Sequence, residues 1–130
     1  MILVDSSVWV DYFRGTATRQ TDKLDSMLGG HRLAVGDLIV AEVLRGFRDD
    51  ESFDRARRLL ERFALIELGG YRVAVQAAKN YRSLKALGVT VRKTIDAIIA
   101  TRCIEDRHAL LHNDRDFDPF VTHLGLKSVC

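Results

Sequence analysis

Residues 1–10 read MILVDSSVWV, in which an apolar run from Ile2 to Val4 ends at Asp5, Ser6 and Ser7. A short apolar run that is closed by turn-forming residues is typical of a buried strand. Ser6 or Ser7 can cap the helix that follows, because a serine hydroxyl accepts a hydrogen bond from a free backbone N–H of the first turn. The chain is therefore predicted to begin with a strand and a helix, with a carboxylate at their junction.

The same alternation of strand and helix continues along the chain. Further apolar runs are predicted strands at Leu33–Val35, Ala64–Leu68, Ala109–Leu111 and Leu126–Val129, the last being optional. Helical spacing of apolar residues predicts helices around Trp9–Phe13, Leu24–Leu28, Leu38–Phe47, Phe53–Phe63, Arg72–Leu87, Ile95–Glu105 and from Asp118. Asp37 and Thr94 are predicted helix caps. This order predicts an α/β sandwich over 1–130, a single domain whose mostly parallel sheet of four or five strands is flanked by helices.

The composition is that of an ordinary globular protein. The chain has 130 residues, of which 47% are hydrophobic and 29% charged, and a net charge of +2 does not by itself indicate a nucleic-acid-binding protein. Cys103 lies in an apolar helical stretch and Cys130 is the last residue, so we expect reduced thiols and no zinc site. No apolar run is long enough to span a membrane and no signal peptide is recognisable, so we expect a cytoplasmic protein.

Acidic residues stand where apolar ones are expected. Asp5 and Asp114 follow predicted strands, and the carboxyl ends of parallel strands form the edge at which ligands bind in such sheets. Glu42 is the only charge in LIVAEVL, and Asp96 is the only charge in TIDAIIAT. We expect both in the first turns of helices that begin at this edge. Four carboxylates are therefore predicted to converge.

Each acid taken alone has an ordinary interpretation. Asp5 or Asp114 can be a helix cap or turn residue, and Arg45 is close enough in sequence to pair with Glu42. Four converging carboxylates, however, repel one another unless a cation neutralises them. Oxygen ligands favour Mg²⁺ or Mn²⁺, and such an ion can activate water and stabilise charge on a phosphate. The sequence therefore indicates metal-dependent chemistry.

Four stretches of the chain resemble one known family. They are VDSSVWVDYF at the start, VAEVLRG around Glu42, RKTIDAIIATRC around Asp96 and LLHNDRDFDPF around Asp114. In order and spacing, from Ile2 to about Phe120, they resemble the PIN-domain nucleases, and within these the VapC-type toxins of bacterial and archaeal toxin–antitoxin pairs. The resemblance implies a PIN-like three-layer sandwich. It also implies an endoribonuclease that depends on Mg²⁺ or Mn²⁺ and cuts structured RNA such as tRNA or ribosomal RNA.

The resemblance also assigns roles to single residues. It implies that metal binding and catalysis belong to Asp5, Glu42, Asp96 and Asp114. Asp116 is expected to contribute through water, and Ser7 falls where the family commonly has a hydroxyl close to the metal. His112 departs from the pattern, because many members have Thr or Ser at this place. It could orient a water molecule or touch phosphate, but a histidine at a strand end is more often a structural residue.

Partners are implied in the same way. The family resemblance implies a homodimer and a small antitoxin protein that covers the active site and often places a basic side chain among the acids. Basic residues are expected around the acidic edge, where they would bind the RNA backbone: Arg14, Arg45, Arg48, Arg92, Lys93 and Arg115. Ordinary solvated side chains are the alternative interpretation. Arg92 and Lys93 are the strongest candidates because they directly precede the helix of Asp96.

Other classes of protein fit less well. A phosphatase of the haloacid-dehalogenase type needs a second acid two residues after the first, and Ser7 stands there. A phospho-receiver domain needs paired acids at the first strand and a lysine at a late strand end, and neither feature is found in the sequence. A housekeeping RNA-processing PIN protein and a catalytically inactive PIN scaffold remain alternatives, although the complete set of acids favours an active enzyme.

Overall fold

The protein is described by a computed structural model that covers residues 1–30 and 32–130. Its strands are β1 (Ile2–Val4), β2 (Leu33–Gly36), β3 (Ala64–Ile66), β4 (Ala109–Leu111) and β5 (Lys127–Val129). They form one sheet in the order β3-β2-β1-β4-β5, and every pairing is parallel. In the centre, Leu3 is paired with Ala34 on one side and Leu110 on the other. The predicted α/β fold with a parallel sheet is confirmed, and the optional fifth strand is present.

Helices cover both faces of this sheet. They are α1 (Ser6–Arg14), α2 (Arg19–Met27), α3 (Asp37–Leu44), α4 (Asp50–Leu60), α5 (Tyr71–Ala86), α6 (Thr94–Asp106) and α7 (Asp118–Leu124), with a 3-10 turn at Arg115–Phe117. Helix α1 packs on α2 and α3, whereas α5 packs on α6 and α7. Within the described residues, no helix combines the length and the apolar character that crossing a membrane requires.

The core lies around the central strands. Leu3, Val4, Leu110 and Leu111 are all completely buried. A parallel sheet that is covered on both faces favours such continuous apolar runs over alternating ones. Charged side chains are therefore excluded from these strands and first become possible where the strands end.

The start of α1 differs from the sequence prediction. Asp5 is the N-cap, and its carboxylate accepts a hydrogen bond from the backbone N–H of Ser7 at 3.0 Å. The prediction that Ser6 or Ser7 caps this helix was wrong, because both residues already belong to its first turn. The cap preferences of Asp and Ser are similar, so the sequence pattern could not distinguish three consecutive cap-forming residues.

Asp37 and Thr94 are not caps either. Asp37 is the first residue of α3, and its Oδ1 accepts hydrogen bonds from the N–H groups of Leu38 at 2.9 Å and Leu68 at 3.0 Å. It therefore ties α3 to the segment after β3. Thr94 is the first residue of α6, and Lys93 occupies the cap position without a side-chain hydrogen bond to the helix.

Several predicted elements were too long at one end, among them β3 and α3. Strand β3 ends at Ile66 rather than Leu68, because the N–H of Leu68 donates to Oδ1 of Asp37 on α3 and not to β2. The Leu68 side chain is completely buried. It packs so closely on Gly36 that a Cβ at that position would overlap it unless Leu68 moved, which favours glycine at the end of β2. Helix α3 ends at Leu44 rather than Phe47, and Glu42 lies in its second turn instead of the first.

Candidate active site

The sheet brings the four predicted acids to one cleft. Strands β1 and β4 are parallel neighbours, and the N–H of Asp5 donates to the carbonyl of Leu111 at 2.9 Å, so the chain segments after both strands meet. Asp96 joins them from the first turn of α6 and Glu42 from α3. The cleft has a volume of about 340 Å³. Its lining consists of Asp5, Ser6, Ser7, Val10, Asp11, Glu42, Lys93, Asp96, Asn113 and Asp114.

Asp5 uses one carboxylate oxygen for structure and leaves the other without a partner. Its Oδ2 accepts hydrogen bonds from the N–H of Ser7 at 3.0 Å and from the Ser7 hydroxyl at 2.6 Å. Its Oδ1 is buried and has no hydrogen-bond partner among the described residues. A buried charged oxygen without a partner is costly, so Oδ1 is a strong position for a ligand contact.

Asp114 divides its two oxygens in the same way. Its Oδ1 accepts a hydrogen bond from the N–H of Asp116 at 2.9 Å and caps the 3-10 turn, whereas its Oδ2 faces Lys93 at 3.4 Å. Asp96, Asp114 and Asp116 each offer one oxygen within 4.8 Å of the other two. Asp5 and Glu42 line the same cleft but are not part of this closest group.

His112 supports the loop that carries Asp114. Its Nδ1 faces the N–H of Asp114 at 3.4 Å, and its Nε2 is 3.1 Å from the hydroxyl of Ser128 on β5. The ring is 9% exposed and packs on Phe117 with 5.1 Å between the ring centroids. These contacts agree with a structural role at the strand end. An Nδ1 that accepts from Asp114 requires the proton to be on Nε2, directed at Ser128.

Ser7 links the two central strand ends. Its hydroxyl donates to Asp5 and accepts a hydrogen bond from the N–H of Asn113 at 3.0 Å. Ser6 has a parallel role, because its hydroxyl donates to Oε1 of Glu42 at 3.3 Å. The two serines thereby fix the carboxylates of Asp5 and Glu42 on either side of the start of α1.

Sequence reasoning missed Ser6, Asp11 and Asn113. Asp11 and Asn113 lie opposite each other in the cleft, with 3.5 Å between Asn113 Nδ2 and Asp11 Oδ2. Asp11 comes four residues after Ser7 on α1, and residues at that spacing share one face of a helix. This periodicity could have identified Asp11. Asn113 could have been suspected because it directly precedes Asp114.

Three of the carboxylates that line the cleft have raised pKa values. Burial, followed by the negative charge of Asp5, raises the pKa of Asp96 to about 7. Burial is also the largest cause of the raised pKa values of Asp5 and Glu42. Asp114 and Asp96 in turn raise the pKa of Lys93. Burial therefore disfavours the charged forms of the three acids, and repulsion between neighbouring carboxylates adds to this effect for Glu42 and Asp96.

The donor atoms fit a hard divalent cation. Every acid that lines the cleft offers carboxylate oxygen, the ligand type that Mg²⁺ and Mn²⁺ prefer. Two of these oxygens, Asp5 Oδ1 and Asp96 Oδ2, are buried without a hydrogen-bond partner in the described part of the chain. Each oxygen is therefore available as a ligand, and a cation in the cleft would neutralise part of its negative charge.

The basic residues predicted to surround the cleft are placed in different ways. Arg92 and Arg115 line a neighbouring recess of about 340 Å³ together with Asp116. Burial raises the pKa of Glu42, and the charge of Arg45 opposes this rise in small part, although no ion pair joins the two residues in the described structure. Arg14 and Arg48 are exposed and do not line the cleft. Lys93 lines the cleft itself, and its ammonium group is directed at the acids.

Comparison with known proteins defines the class to which this fold and cleft belong. The family model that describes the PIN domain matches residues 2–120, and the chain therefore belongs to the PIN-domain family. Two curated relatives match it over nearly their whole length, a VapC ribonuclease of Mycobacterium bovis and the ribonuclease VapC11 of Mycobacterium tuberculosis. Each is 32% identical over 130 residues, which cover 98% of this chain and 97% of the relative.

Solved structures show the same fold at lower identity. The chain resembles VapBC2 of Rickettsia felis, solved bound to a DNA fragment from its promoter, with a TM-score of 0.74 and 17% identity over 99% of this chain and 98% of that one. It also resembles VapBC-1 of nontypeable Haemophilus influenzae, with a TM-score of 0.73 and 18% identity over 99% and 97%. The fold is therefore that of the VapC structures.

Proposed function

We propose that this protein is a metal-dependent endoribonuclease that acts as the toxin of a toxin–antitoxin pair. The observation that carries the proposal is the cleft in which Asp5, Glu42, Asp96 and Asp114 converge, where two buried carboxylate oxygens have no hydrogen-bond partner among residues 1–30 and 32–130. The names of the VapC relatives support RNA as the substrate. The substrate class proposed is structured RNA such as tRNA or ribosomal RNA, in which the enzyme hydrolyses phosphodiester bonds.

The cofactor we propose is Mg²⁺ or Mn²⁺. It would be held by Asp5, Asp96 and Asp114, with Glu42 and Asp116 contributing directly or through water. When bound, such a cation neutralises the carboxylates, lowers the pKa of a water molecule and stabilises negative charge on the phosphate. The supporting residues orient these acids, because Ser7 fixes Asp5, Ser6 fixes Glu42 and His112 supports the loop of Asp114.

Binding of the RNA backbone is proposed for basic residues near the cleft. Arg92 and Arg115 are the best placed, because they line the recess beside Asp116 and are both exposed. Positive charge beside an acidic centre attracts phosphates without opposing the cation within the cleft. Arg45, close enough to influence Glu42, is a further candidate, whereas Arg14 and Arg48 are weaker ones.

The partners are proposed from the relatives. Solved structures that resemble this chain include toxin–antitoxin complexes, such as one from Klebsiella pneumoniae. We therefore propose a small antitoxin that covers the cleft, where the uncompensated acids would favour a basic side chain of the partner. A homodimer, a single-domain organisation and a cytoplasmic location remain proposals of the same kind.

Cleavage of total bacterial RNA by the purified, antitoxin-free protein tests this function. Discrete fragments are expected with Mn²⁺ or Mg²⁺, and none with a chelator or with the Asp5→Asn variant. Asp25→Asn is the matched control, because Asp25 is exposed on α2 and lies outside the cleft, so this variant should cleave normally. A folded protein that cleaves no RNA with any divalent cation would contradict the proposal and favour the inactive scaffold.

A further inference from the structure

We propose that Lys93 is an internal counter-ion of the metal-free cleft, which a divalent cation must displace in order to bind. The proposal rests on the proposed function, because the cation concerned is the proposed cofactor. It adds that the chain itself limits its affinity for this cofactor. The inference follows from the position of the Lys93 ammonium group, from the unusual place of a lysine at the start of α6 and from the exposure of its side chain.

The Lys93 ammonium group lies against the acids that are closest to one another. Its Nζ is 3.4 Å from Asp114 Oδ2, 3.7 Å from Asp116 Oδ2 and 3.9 Å from Asp96 Oδ2. These residues are the ones whose oxygens lie within 4.8 Å of one another. A cation held by Asp96 and Asp114 would therefore be close to Nζ, and the two positive charges would repel each other strongly at such a distance.

Lys93 does not satisfy the hydrogen-bonding capacity of Asp96. The 3.9 Å separation is an ionic contact but exceeds hydrogen-bond length. Asp96 is only 6% exposed, and its Oδ2 has no hydrogen-bond partner in the described part of the chain. Lys93 thus reduces the charge of the cleft and leaves the buried oxygen available to a ligand.

The position of Lys93 on α6 is unfavourable for the helix itself. Lys93 occupies the N-cap, where residues with a side-chain acceptor are preferred, and α6 has no side-chain cap. A cation at this end also opposes the positive end of the helix dipole. The attraction of Asp96, Asp114 and Asp116 offsets these two losses. The position of Lys93 is therefore explained by its contacts with the acids and not by a contribution to the stability of α6.

The side chain is free to leave when a cation arrives. The backbone of Lys93 is fixed, because its carbonyl accepts a hydrogen bond from the N–H of Ala97 at 3.2 Å. Its side chain is 59% exposed and can turn into solvent, where an ammonium group is well hydrated. Displacement therefore requires a change of rotamer but no movement of α6.

Binding of Mn²⁺ to the metal-free protein, measured by titration calorimetry without RNA, tests the inference. Lys93→Met should bind Mn²⁺ about tenfold more tightly than the unmodified protein, because the competing charge is removed. Its melting temperature without metal should be lower, because three acids lose their counter-ion. Lys93→Gln should behave in the same way and guards against an effect peculiar to methionine.

Lys79→Met is the matched control. It removes an equal charge from an exposed lysine of α5 that lines neither the cleft nor the neighbouring recess, so the affinity for Mn²⁺ should change much less. If the unmodified protein binds Mn²⁺ and Lys93→Met binds it equally or less tightly, the inference fails and the proposed function stands. If neither protein binds Mn²⁺, both the inference and the metal dependence of the proposed function fail.

Discussion

At the scale of single residues, Asp5 and Asp114 each use one carboxylate oxygen to cap a helical turn. The sequence allowed two interpretations of each residue, as a helix cap or as a cation ligand. The structure shows both to be caps, through Oδ2 of Asp5 and Oδ1 of Asp114. The other oxygen of each residue, Oδ1 of Asp5 and Oδ2 of Asp114, takes no part in the cap. The cap holds the carboxylate in place. A residue that caps a helical turn with one oxygen can therefore also bind a cation with the other.

Asp96 should make the stability of the metal-free protein depend on pH. Its pKa is about 7 in the folded protein against 3.8 for an ordinary aspartate, so the folded state binds more protons between these values. Lowering the pH from 8 to about 5 should therefore stabilise the folded state through this group, and raising it should reverse the gain. Urea unfolding in the presence of chelator measures the effect.

Asp96→Asn provides the comparison for this prediction. The variant should be more stable than the unmodified protein at pH 8, should lose most of that advantage at pH 5 and should have no nuclease activity. His108 acts in the opposite direction, because burial lowers its pKa, but it is present in both proteins and its contribution cancels in the difference. If Asp96→Asn is less stable at pH 8, then Asp96 is held as a stabilising anion and the interpretation is wrong.

At the scale of elements, a small polar contact joins the helix that carries Asp96 to its neighbour. Nδ2 of Asn80 on α5 donates to the hydroxyl of Thr101 on α6 at 3.0 Å, and both residues are buried. Oδ1 of Asn80 accepts a hydrogen bond from Gln76 at 3.0 Å. Because this pair fixes α6 against α5, it also helps to fix the position of Asp96.

Thr101→Val should destabilise the protein without changing its shape. The substitution keeps the volume but leaves Nδ2 of Asn80 buried without an acceptor, which costs about 1–3 kcal/mol. The free energy of unfolding in urea measures the loss. Ser83→Ala on the exposed part of α5 is the control and should change little. A fully stable Thr101→Val protein would show that Asn80 finds another partner.

At the scale of the whole molecule, the sequence predicted the class of fold and the meeting of the acids. Apolar runs marked the strands because the sheet is buried on both faces, and acids directly after these runs had to reach one edge. The strand order was not predictable, since local patterns do not specify which strands are neighbours. Neither was the position of Lys93, which depends on the approach of the 114–116 loop to α6.

The most direct test of the central claim is a crystal structure of the protein soaked in Mn²⁺, with the ion located by anomalous scattering. The expected result is a peak in the cleft, in direct contact with the carboxylates of Asp5 and Asp96, whose free oxygens are Oδ1 and Oδ2. The Lys93 side chain should have turned away from it. An ordered cleft without a peak at saturating Mn²⁺, or a peak only at another place, would contradict the assignment of these acids as a metal site.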